Sequence, residues 1–187
     1  MLKPLTNLKK LLADISTDLT YYRQIFGSDE NVSVLRSVSD WVFANYQKCL
    51  INTIYSKLSR LLDPKSSCSS DNLSFSYVID TLSLAHDSEI NDSFSIIKEI
   101  YESSGLKEYR NKVLSHNDAH IVLCGSKCGV NFNDDSLDEF LTRLWDLFCL
   151  LQYKAGLEDS IVKYSNEILI PAEMDGITFV QKLKKCI

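Results

Sequence analysis

The strongest constraint in this sequence is a hydrophobic repeat of three and four residues that persists through most of its length. Leu8, Leu11, Leu12, Ile15, Leu19, Tyr22 and Phe26 follow it first, and Gly27 closes that run as a helix C-cap. A longer run passes through Leu35, Val38, Trp41, Val42, Cys49, Leu50, Ile54, Leu58, Leu61 and Leu62. It stops at Pro64, which cannot continue the hydrogen-bond ladder and restricts the residue before it. With a rise of roughly 1.5 Å per residue, this run predicts a helix about 45 Å long, a spine for the domain.

Weaker and shorter patterns follow. Lys65 to Asn72 is serine-rich and reads as a loop, and Leu73 to Ala85 is a helix weakened by serines that compete for backbone bonds. Asp92 to Glu102 is helical, Ser103-Ser104-Gly105 breaks or bends it, and Leu106 to Ser115 resumes. Residues 119–133 hold the one β-prone section, His120 to Leu123, then turn residues, then Val130-Asn131-Phe132; a short hairpin and an ordered loop both fit it. Asp135 or Ser136 caps a strong helix bearing Leu137, Phe140, Leu141, Leu144, Trp145, Phe148 and Leu151. Trp41, Phe140, Trp145 and Phe148 recur with these faces and read as core. A last helix spans about Gly176 to Lys185. The expectation is an all-α, up-and-down bundle of four to five helices forming one domain over residues 1–187. Its core spans about 35–155, with an N-terminal helix at about 5–26 and a tail at about 157–187.

Composition narrows the function classes. Apolar residues make up 45% and charged residues 24%, as in an ordinary globular protein. No apolar run approaches the roughly eighteen residues of a membrane helix, and Met1-Leu2-Lys3-Pro4 does not open a secretory signal, so a cytoplasmic location is expected. The six cysteines are scattered and expected to be reduced. Cys124 and Cys128 have an allowed zinc-ligand spacing near His116 and His120 but lack a second pair of similar quality, so neither metal nor cofactor is expected. A formal charge of −5 does not suit a non-specific nucleic-acid coat. Any RNA contact must come from a local patch, and the balance leaves room for a protein partner.

Arg110-Asn111-Lys112-Val113-Leu114-Ser115-His116-Asn117-Asp118 is the segment that can carry chemistry. To cut RNA, a 2′-hydroxyl must lose a proton while the leaving 5′-oxygen gains one. Histidine does either near neutral pH. Arginine keeps its charge and presents a planar fork to phosphate oxygens. Asn111 can orient the arginine or the phosphate, and Asp118 and His120 are candidates for outer support. On an ideal helix, residues six apart lie about 120° and about 9 Å from each other. Convergence therefore needs a frayed helix end or a second chain in a symmetric dimer. The competing readings are a surface ion pair of Arg110 with Glu108 or Asp118, and a histidine placed by the helix dipole.

Arg110 to Asp118 resembles the Arg-polar-x(3–5)-His signature of HEPN proteins. Upstream, Tyr55 to Pro64 is similar to a helix-end pattern of the AbiU-type abortive-infection branch, with Leu58-x-x-Leu61-x-Asp63-Pro64 at its close. The order of elements agrees over residues 35–155. By itself, Arg60 with Asp63-Pro64 reads as a structural helix stop. The resemblance implies a helical bundle that dimerises and cuts RNA without a metal, leaving 2′,3′-cyclic phosphate ends. It implies a role in bacterial anti-phage defence, or as a toxin restrained by an antitoxin or other partner. Arg110 and His116 then carry over as catalytic and Asn111 as the supporting polar residue. The alternative is a non-catalytic helical module that binds a protein or nucleotide, a class the acidic charge favours.

Overall fold

The computed structural model describes residues 2–67, 69–115 and 128–186, and most of their backbone is α-helical. The order is α1 (Leu2–Phe26), α2 (Asp29–Leu61), α3 (Phe75–Thr81), α4 (Ser88–Ser103), α5 (Leu106–Tyr109), α6 (Asp134–Lys154) and α7 (Gly176–Lys184). A five-residue π-turn, Arg110–Leu114, continues directly from α5. No described helix is long and apolar enough to cross a membrane.

Local chemistry sets most of these boundaries. Ser74, Asp87 and Asp175 cap α3, α4 and α7, each accepting a hydrogen bond from a backbone N–H of the first turn. The cap of α6 is Asn133, not Asp135 or Ser136. Ser136 N–H donates to Asn133 Oδ1 at 2.7 Å and Asn133 N–H donates to Ser136 Oγ at 3.0 Å. This reciprocal box places Ser136 inside the helix.

The predicted spine is not continuous. Within α2, Ser39 has extended dihedrals, φ −167° and ψ 100°, so the helix is divided there. Serines crowd the break, and the Ser37 hydroxyl donates to Val34 O at 2.7 Å, a bond that competes with the helical ladder. The far end stops where expected: Leu62 N–H and Asp63 N–H turn back to Ser59 O and Arg60 O, and Pro64 follows.

The described antiparallel pair is not in residues 119–133 but in the serine-rich stretch, where β1 (Ser66–Ser67) pairs with β2 (Ser70–Asp71). Asn72 closes it, donating from its backbone N–H to Lys65 O and from Nδ2 to Pro64 O. Of the section expected to be β-prone, residues 119–127 lie outside the described residues and 128–133 contain no strand.

The chain divides into two compact units, Met1–Leu12 with Tyr55–Asn166, and Ala13–Ile54 with Glu167–Ile187. In the first, α4 packs along α6, and Phe140, Leu141, Leu144 and Phe148 of α6 are buried with Phe75, Ile90 and Ile97. Lys154, in the last turn of α6, pairs with Asp87 at 3.1 Å and Glu89 at 2.8 Å at the start of α4. That places a cation at one helix C-terminus and carboxylates at the other's N-terminus, as both dipoles favour. In the second unit, Ile25, Phe26, Leu35 and Val180 form the core, flanked by Tyr21, Tyr22, Phe43 and Leu50.

Trp41 is not core. It is 82% exposed, and Val38, Val42 and Tyr46 are exposed beside it. Leu35, Phe43 and Leu50 are among the α2 residues that turn to the core of this unit, while the 38–41–42–46 edge is exposed. Leu144→Ala should cost about 2–5 kcal/mol, because a fully buried leucine leaves a cavity. Trp41→Ala should stay within about 0.5 kcal/mol of wild type. Urea denaturation of the three proteins checks both.

Candidate functional site

The site grows from a sharp change of direction after α4. Ser104 ends the helix, and Gly105 takes φ 76°, a left-handed conformation that L side chains rarely adopt. A Cβ there would also sit 2.9 Å from Gly129 O. Glycine is therefore required twice over. From this bend α5 starts, and after Tyr109 the ladder widens so that Ser115 N–H donates to Arg110 O at 2.9 Å, five residues back. Such π-turns inside helices are rare and are often found at functional positions.

Arg110 stands at the start of that turn with its head group held on two sides. Nη2 donates to both carboxylate oxygens of Asp63, at 3.0 and 3.3 Å. Nη1 donates to Asn111 Oδ1 at 3.0 Å. The Arg110 side chain is 35% exposed and Asp63 18% exposed, so the carboxylate lies on the more sheltered side of the pair. Of the two ion-pair partners suggested by sequence proximity, Glu108 pairs instead with Lys112 at 2.5 Å, and Asp118 lies outside the described residues.

Buried polar groups adjoin this pair. Tyr101 of α4 is largely buried, and burial pushes its phenol above the ordinary value of 10.0, while the Ser59 hydroxyl and the Arg110 guanidinium pull the other way. The Ser59 hydroxyl is wholly buried and closes no hydrogen bond of good geometry among the described residues. Tyr109 packs edge-on against Tyr55 at 6.0 Å, and its phenol is raised by burial and then by the neighbouring Cys128. Asn131 N–H donates to Ser104 O at 2.8 Å, so the chain returns to the α4–α5 bend before entering α6.

Of the residues singled out by sequence, Arg110 and Asn111 meet here. His116, Asp118 and His120 lie outside the described residues, as does Cys124. Among the described residues, no group of three or more histidine, cysteine, aspartate or glutamate side chains could hold a metal. The cations of the segment are not an uncompensated basic patch: Lys107 pairs with Glu102 at 2.6 Å, Lys112 with Glu108, and Arg110 with Asp63. Sequence reasoning missed Asp63, Tyr101 and Ser59 as members of the site. The only signal was the Asp63-Pro64 motif itself, whose proline explains a helix stop without any need for the acid.

The family model of AbiU2 matches residues 3–152, most of the chain. The chain belongs to the AbiU2 family of HEPN proteins. The AbiU2 match takes in α1, which the sequence resemblance over 35–155 had left out, and nearly the whole of α6. Comparison with curated proteins and with solved structures gave no match.

The buried phenol makes stability depend on alkaline pH. The folded protein retains on Tyr101 a proton that the unfolded chain releases near its ordinary value of 10.0. That contribution is complete below about pH 10 and is lost as pH rises toward the folded-state value. Between about pH 8 and about pH 11, wild type should lose more stability than Tyr101→Phe does. Denaturant midpoints at the two pH values measure it; equal losses would show that the phenol is not held neutral by the fold.

Proposed function

We propose that this protein is a metal-independent endoribonuclease that leaves 2′,3′-cyclic phosphate ends and serves in bacterial anti-phage defence, either directly or as a toxin restrained by a partner. The observation that carries the reading is the Arg110 head group, held by Asp63 and Asn111 on a π-turn that ends two residues before His116 in sequence. Membership of the AbiU2 family supports it.

In this reading the 2′-oxygen attacks the adjacent phosphorus and the bond from phosphorus to the 5′-oxygen breaks. His116 takes the proton of the 2′-hydroxyl or supplies one to the leaving 5′-oxygen. Arg110 stabilises the charge that builds on the equatorial oxygens, and Asn111 steadies the guanidinium. One chain carries one Arg110 and one His116, so a two-fold dimer supplies a second pair and lets base and acid be separate groups. The product is cyclic because the nucleophile belongs to the substrate.

Arg110→Ala and His116→Ala should each lower cleavage about 10²–10⁴-fold. RNA affinity should fall more for Arg110→Ala, since the guanidinium is the group charged at neutral pH. Cleavage should persist in excess EDTA, and activity lost to the chelator and restored by Mg²⁺ would point to a two-metal mechanism. Sedimentation should give a dimer at tens of micromolar, and a monomer that still cuts would remove the two-chain site. The competing reading is a non-catalytic module, favoured by the exposed Val38, Trp41, Val42 and Tyr46 edge of α2. It prevails if wild type cuts no RNA tested, or if both variants cut as fast as wild type.

A further inference from the structure

Asp63 is the one residue whose position the helix-stop explanation does not account for. A helix ends at Pro64 whatever precedes it, yet the carboxylate of Asp63 reaches a guanidinium 47 residues away along the chain. The other ion pairs of this region, Lys107 with Glu102 and Lys112 with Glu108, join near neighbours in sequence and are about half exposed. The Asp63–Arg110 pair is long-range, forked and more sheltered.

Resting on the ribonuclease reading, we propose that Asp63 is the positioning residue for Arg110: it fixes the guanidinium so that its remaining donors face an RNA phosphate in one orientation. Three features make it suited to this. Its backbone is fixed on both sides, by the Asp63 N–H bond to Arg60 O and by the Asn72 amide on Pro64 O. Its two oxygens take Nη2 while Asn111 takes Nη1, so the head group is held from two directions. A guanidinium has five N–H donors, and the contacts to Asp63 and Asn111 leave Nε–H and further Nη hydrogens for a ligand.

The arrangement has a recognisable cost. A carboxylate next to the phosphate-binding cation repels the substrate, so it weakens ground-state binding. It is useful only if orientation at the transition state outweighs that loss. Arginine is a long side chain with many rotamers, and holding the head group beforehand removes the cost of ordering it from the reaction itself. Positioning therefore predicts a split that a purely structural tie does not: rate falls while affinity holds or rises.

The test uses the full chain as wild type, Asp63→Ala and Asp63→Asn. Single-turnover cleavage of an RNA that wild type cuts should fall about 10- to 100-fold in Asp63→Ala, with RNA affinity unchanged or tighter. Asp63→Asn retains one acceptor and should fall between the two. Nitrogen-15 spectra of the Arg110 side chain at low temperature should show resolved, slowly exchanging Nη–H signals in wild type that merge in Asp63→Ala. Asp63→Ala cutting as fast as wild type overturns the proposal. So does a rate loss matched by an equal loss of affinity and melting temperature, which would be a structural tie. If wild type cuts no RNA, the ribonuclease reading fails on its own. The spectra then decide the positioning claim, which is overturned if Arg110 stays ordered without Asp63.

Discussion

The packing of α4 on α6 is the interaction on which the larger unit rests. α6 is apolar on more than one face: Leu137, Phe140, Leu141, Leu144, Trp145, Leu147, Phe148 and Leu151 are all buried. A helix with that pattern must be covered over most of its circumference, because each large side chain left in water would forfeit about 1.5–3 kcal/mol. Elements gather round it. Phe132 stacks on Phe140 at 5.4 Å, and Tyr164 lies against Trp145 and Phe148 at 5.3 and 6.1 Å. Lys9 of α1 donates to the Tyr164 hydroxyl at 2.9 Å and lies 4.2 Å from its ring centre.

The site inherits its geometry from that packing. α4 is fixed along α6, so the bend at Ser104-Gly105 is fixed as well, and α5 with the π-turn departs from a defined point. The end of α2 presents Asp63 to the same place. None of the polar residues involved needs to be strongly stabilising for this to hold. The ion pair is partly solvated, and an ion pair in that setting contributes little to folding compared with the apolar contacts beneath it. Its significance is geometric.

Charge balance has a mechanistic consequence. Every cation of the Lys107–Lys112 segment faces a carboxylate, so the described part of the site offers RNA no broad positive field. Affinity for phosphate backbone usually rises with the number of uncompensated cations. On the ribonuclease reading proposed above, binding would rely on directed hydrogen bonds at one phosphate more than on coating the polymer. That fits the net charge of −5.

Helix content, the C-terminal end of α2, the break at Ser103–Gly105 and the last helix were all legible in the sequence. These depend on spacing, proline, glycine and the chemistry of neighbouring residues, all of which act over a turn or two of chain. The cap of α6 was misplaced by two or three residues because Asn133, Asp135 and Ser136 are all competent caps, and only the reciprocal Asn133–Ser136 bonds choose among them. Trp41 followed the same repeat as Leu35 and Leu50, yet periodicity says which residues share a face and not whether anything covers it. The break at Ser39 was hidden for a similar reason: a serine can bond to water, to the ladder or to a nearby carbonyl, and its neighbours decide. Asp63 shows the limit most clearly. Proline accounts for the turn in the sequence, but a partner 47 residues away is brought into reach only when α2, α4 and α5 are packed. Local chemistry determined the helices of this protein; tertiary packing decided which carboxylate holds the arginine, because that contact joins elements no local rule connects.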